Sequence, residues 1–159
     1  MATTTPKPES ILANVATALA TISTSGSAFR TTVATVNRQF IDPAKFGMGA
    51  QVPALAIFDE QIKYDVHGIA STPRQECELT FKIQAALVAY SNPATAVMSF
   101  IQDVREKLYE DRSRGGYADN TQVTEVEVGG DGFGNKQQFV AKPHVGFLMT
   151  VVVQFQENL

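Results

Sequence analysis

The stretch "ECELTFKIQAALVAYSNPATAVMSFIQDVREKLYEDRSRGG", Glu76 to Gly116, changes its hydrophobic period partway along. In the first part Cys77, Leu79, Phe81, Ile83, Ala85 and Leu87 alternate with Glu78, Thr80, Lys82 and Gln84. A period of two predicts a strand with one core face and one wetter face. In the second part Ala94, Val97, Met98, Ile101, Val104 and Leu108 recur at three- and four-residue steps. That spacing places them on one stripe of a helix. Asn92 carries the side-chain oxygen favoured at an N-cap, and Pro93 stands at the first helical position, where a missing N–H costs nothing. Gln102, Asp103, Arg105, Glu106, Lys107 and Glu110 fall mostly off the stripe, and Asp103 precedes Lys107 by four residues, a favourable order. Arg112 and Arg114 follow where the helix dipole is negative, and Gly115 and Gly116 suit the left-handed turn that ends a helix. A one-sided helix of about five turns must rest on something apolar, most simply a sheet.

The flanking sequence extends this pattern in both directions. Met1 to Glu9, rich in Thr and Pro, is expected to be a flexible tail before a single domain over 10–159. Ser10 is placed to cap a helix over Ile11 to Ile22, with Ile11, Leu12, Val15, Leu19 and Ile22 on one face. "STSGS" breaks it. From Phe29 to Phe40, "TTVATVNRQF" favours a strand through its Thr and Val content. "IDPAKFGMGAQ", Ile41 to Gln51, reads as a long loop. "PALAIFDEQIKYDVHG" reads as a short buried strand, a turn at Asp59 and Glu60, and an alternating segment with Ile62, Tyr64 and Val66 on one side. "TQVTEVEV" is a further strand with Glu125 and Glu127 outward, and "GGDGFGN" a glycine-rich bend or long hairpin. In "HVGFLMTVVVQFQ" Val145, Phe147, Met149, Val151, Val153 and Phe155 alternate, while Leu148 and Val152 make the other face apolar too. That suits a strand in mid-sheet. Strands come in runs, which predicts an α+β fold: a mostly antiparallel sheet with two main helices packed on one face.

Composition sets bounds. At 159 residues and 44 % hydrophobic content the chain is large and apolar enough for one real core. The net charge of −3 is scattered, without the basic run that nucleic-acid binding leaves. Cys77 is the single cysteine, so an internal disulfide and a cysteine-based zinc cluster are excluded. "MATTTPKPES" has no apolar signal core and no apolar run reaches the length of a membrane span, so the expectation is a protein cytosolic where it is made, with no membrane partner.

Chemistry is hard to find in these residues. The glycines at 129, 130, 132 and 134 do not give G-x-G-x-x-G, and no G-K-[ST] follows, so a hairpin loop is preferred to a phosphate loop. Asp131 and Asn135 are too few for a calcium loop. His67 and His144 lack a second ligand at metal spacing. Cys77 lies on the apolar face of its strand, where a buried inert thiol is the default. The pairs Glu76/Glu78 and Glu125/Glu127 could serve acid–base work, but a solvated strand face explains them more cheaply. Arg112 and Arg114 could bind phosphate or a partner, against the plainer reading of helix C-terminal charge. Phe46 and Met48 are large apolar residues in a glycine-marked loop. They either tuck back over the domain edge, belong to a spacer, or anchor a neighbouring molecule. No catalytic, cofactor or metal site is expected, and Phe46, Met48, Arg112 and Arg114 are the candidate interface residues.

From Pro53 to the end, the order of elements resembles the tail terminator (tail completion) family of long-tailed phages. The resemblance rests on "PALAIFD", on "ECELTFKIQAALVAY", on "NPATAVMSFIQDVREKLYED" followed by "RGG", and on "TQVTEVEV" with "HVGFLMTVVVQFQ". It covers the last two-thirds of the chain and the N-terminal amphipathic helix. The segment after the first helix is longer and more loop-rich than the family pattern, and related neck and head-completion proteins share the general look. The resemblance implies a structural virion protein and not an enzyme, without cofactor. It implies a homo-oligomeric ring, a hexamer, that caps the tail tube, stops its polymerisation and meets the head–tail connector protein. Its place would be the tail of the virion, and the host cytoplasm during assembly. No sequence-specific nucleic-acid contact is implied, although a ring leaves genomic DNA a lumen to pass through. A different class stays open: a small-molecule-binding α+β module, or an enzyme with a pocket between sheet and helices.

Overall fold

The computed structural model describes residues 5–26, 28–42, 46, 52–64, 74–88, 92–130 and 144–158. Its elements run α1 (Lys7–Leu19), β1 (Thr35–Asn37), β2 (Ala54–Tyr64), β3 (Arg74–Leu87), α2 (Pro93–Glu110), β4 (Asn120–Gly130) and β5 (Val145–Asn158). The strands form one sheet in the order β1-β2-β3-β5-β4. Only β1 is parallel to its neighbour; the β2–β3, β3–β5 and β4–β5 pairs are antiparallel. The fold is therefore α+β with a mostly antiparallel sheet, as the runs of strands predict.

The long alternating segments become the two longest strands. β3 and β5 pair without interruption from Arg74↔Asn158 to Leu87↔Val145. Leu79, Phe81, Ile83, Met149, Val151 and Val153 are fully buried from this pair. β5 lies between β3 and β4, which accounts for the apolar residues on both of its faces. One core cluster joins these side chains with Ile11, Leu12, Val15 and Leu19 of α1 and with Val97, Phe100, Val104 and Leu108 of α2.

Two expectations for the edges are corrected. Asp59 and Glu60 are not a turn: β2 runs straight through them, and the register steps from Asp59↔Phe81 to Gln61↔Thr80. Glu60 is the extra residue of a β-bulge. The bulge shifts the alternation by one, so Leu55, Ile57 and the later Ile62 all reach the same core cluster. β4 repeats the device, with a register step between Val123 and Glu125. It lets Val123 pack on that cluster together with Val126 and Val128. From the Phe29–Phe40 segment only three residues, Thr35–Asn37, form a strand.

The helices also differ in detail. α1 begins at Lys7, with Pro6 at the N-cap and Pro8 in the first turn, so Ser10 is inside the helix and caps nothing. Residues 7–9 are thus helical, not tail. Ile22 lies beyond the helix end yet is fully buried. Asn92 occupies the N-cap of α2, but its side chain makes no capping hydrogen bond. The buried stripe of α2 is rotated from the expected one: Phe100 is fully buried, Ile101 is half-buried and Met98 is 54 % exposed. Beyond α2, Gly115 and Gly116 take the left-handed conformation expected of them, with φ of 72° and 93°. At the β4–β5 connection Gly130 is pressed against its neighbour strand, where a Cβ would lie 2.7 Å from the His144 carbonyl oxygen.

Candidate functional site

Of the three candidate interface residues that the structure describes, Phe46 and Arg114 are buried and Arg112 is exposed. Phe46 is 1 % exposed and packs with Ala54, Ala56 and Ala86, on the sheet face opposite the main core. These three small side chains leave a trough, and the phenyl ring fills it. Nearby the Gln84 amide donates to the Ile41 carbonyl at 3.1 Å, and Gln84 is fully buried although its alternation places it on the wetter face. Within the chain by itself the Phe46 ring is buried against this face of the sheet. Met48 lies outside the described residues, as do His67, Val66 and the glycine-rich segment from Asp131.

Arg114 is likewise turned inward. It is 1 % exposed, and its Nη2 donates to the Leu108 carbonyl at 2.5 Å and to the Asp111 carbonyl. These are carbonyls at the end of α2, where a cation complements the helix dipole. Burial pushes the guanidinium below its ordinary pKa, while the nearby Asp111 opposes that shift. Its backbone, at φ 51°, starts the left-handed turn. Asp111 closes the turn from the other side, because its carboxylate accepts from the Ser113 hydroxyl, the Ser113 N–H and the Gly115 N–H. Those bonds hold its pKa below the usual carboxylate value. Helix C-terminal charge, the plainer reading, is what the geometry gives for Arg114.

Arg112 is exposed. Its guanidinium carbon lies 4.6 Å from the centroid of the Tyr109 ring, and Arg105 approaches the same ring at 5.9 Å. The Tyr109 hydroxyl accepts the Val123 N–H at 3.0 Å, which ties this side of α2 to β4.

Asp103 was not a candidate and is the most unusual charged group in the core. It is fully buried on α2, where it accepts the Arg30 backbone N–H at 2.8 Å and the Arg30 Nη1 at 3.0 Å. The pairing fastens the segment after α1 onto α2. It replaces the expected Asp103–Lys107 contact; Lys107 instead pairs with Glu110 at 2.9 Å. The only hint in the sequence is its position between Phe100 and Val104.

A cleft of about 410 Å³ is lined by Lys63, Glu76, Cys77, Glu78, Asp119 and Gln154 among others. Cys77 is 5 % exposed, and burial, then the nearby Glu157 carboxylate, raise its thiol pKa. A thiol so placed is a poor nucleophile at neutral pH. His144 is buried at the start of β5. Among the described residues no group of three or more His, Cys, Asp or Glu could hold a metal ion, and no helix is long and apolar enough to cross a membrane. No protein-family model matches the chain, and no curated protein matches it.

Proposed function

We propose that this chain is a structural subunit of a long-tailed phage virion: a tail terminator that closes into a homo-oligomeric ring on the end of the tail tube and joins the tail to the head connector. One observation carries the reading. The stretches behind the resemblance fold as adjacent parts of one unit, with β2, β3, β5 and β4 consecutive in the sheet and α2 packed on β4 and β5. A ring subunit works through its surface, and contacts between two different surfaces of one chain can close into a finite assembly. The hexameric number, the tube and connector partners and the virion location follow from the resemblance. A neighbouring neck or head-completion role would use the same kind of surface.

The cleft beside Cys77 favours a second reading, a small-molecule-binding module. Sedimentation of the purified chain separates the two. The ring requires a mass several-fold above 17.2 kDa, in solution or on contact with tail tubes. A chain that stays at 17.2 kDa with tubes present and binds a small ligand in the cleft fits the module.

A further inference from the structure

We draw no further inference here: the strongest candidate, the cavity of about 220 Å³ between α1 and the end of α2, where Nε and Nη1 of the buried Arg114 have no partner among the described residues, carries nothing, because Glu110 and Asp111 line it beside Lys107 and Arg114 so that its charges balance, the two nitrogens are themselves closed off from the surface, and nothing in the structure shows what would fill it.

Discussion

Asp103 and Arg30 meet across 73 residues of sequence: the fully buried carboxylate takes both the backbone N–H and the guanidinium of Arg30. The Arg30 side chain is 54 % exposed, so half of this pair is screened by water. The backbone bond and the burial of the carboxylate carry most of its effect. Arg30→Ala is expected to cost about 1 kcal/mol, and Asp103→Ala about 1–3 kcal/mol because it strands the donor N–H. Urea unfolding checks both. Equal, negligible losses would show that the segment after α1 is not held this way.

The phase of α2 gives a sharper contrast. Phe100 is fully buried and meets Phe147 edge-to-face, centroids 5.4 Å apart, whereas Met98 is 54 % exposed. Phe100→Ala is expected to cost about 3–5 kcal/mol, and Met98→Ala less than about 0.5 kcal/mol. Thermal unfolding of the two variants should separate them widely. Similar losses would return Met98 to the core.

That phase is also where reading the sequence reached its limit. The alternation of β3 and β5 was plain, because each side chain in a strand reports its own face. Met98 and Phe100 are both apolar and both near the stripe, so only the packed neighbours choose between them. The bulges were illegible for a related reason. Asp59 and Glu60 interrupt an apolar alternation as a turn would, and it is the uninterrupted β3 alongside that carries β2 across them. Phe46 sits among glycines and looks free; its burial depends on Ala54, Ala56 and Ala86 being small enough to leave it a trough. Asp103 could not be placed without Arg30, far away in sequence. Of the three candidate interface residues that the structure describes, Arg112 is exposed, whereas Phe46 and Arg114 are buried.

The bulge in β2 makes a prediction by deletion. Removing Glu60 leaves Asp59↔Phe81 and Gln61↔Thr80 as successive regular pairs, so the variant is expected to fold cooperatively. Removing Thr80 from β3 instead turns Cys77 and Leu79 from the core to the opposite face, and is expected to abolish folding, since a one-residue slip reverses every later side chain. Circular dichroism and denaturant titration of both deletions check this. A folded Thr80 deletion would contradict the register.

The turn after α2 has an acid limb. The folded Asp111 pKa is lowered, chiefly by the Ser113 hydroxyl, with the Gly115 and Ser113 amides contributing. A lowered carboxylate stabilises the fold above its ordinary pKa of about 4, and that stabilisation is lost as pH falls through the folded value. Amide exchange at Gly115 is therefore expected to be slow at neutral pH and to lose protection at acid pH, once exchange is corrected for intrinsic rate. In Asp111→Asn the acid-dependent part should vanish. Protection that is the same in both proteins down to low pH would remove Asp111 from this role.

Cys77 offers a check on the reading without catalysis. Burial raises its thiol pKa, so at neutral pH a thiol reagent is expected to label the folded chain at least about a hundredfold more slowly than the urea-unfolded chain. Labelling of the folded chain at the unfolded rate would reveal an accessible, activated thiol and favour the small-molecule reading.

The central claim is that this chain ends a phage tail. Electron microscopy of particles made by the phage that encodes it, with this chain deleted, tests the claim most directly. The account predicts tail tubes of variable, excessive length that are not joined to heads, with uniform joined tails restored when the wild-type chain is supplied. Tails of uniform length joined to heads in the absence of the chain would contradict it.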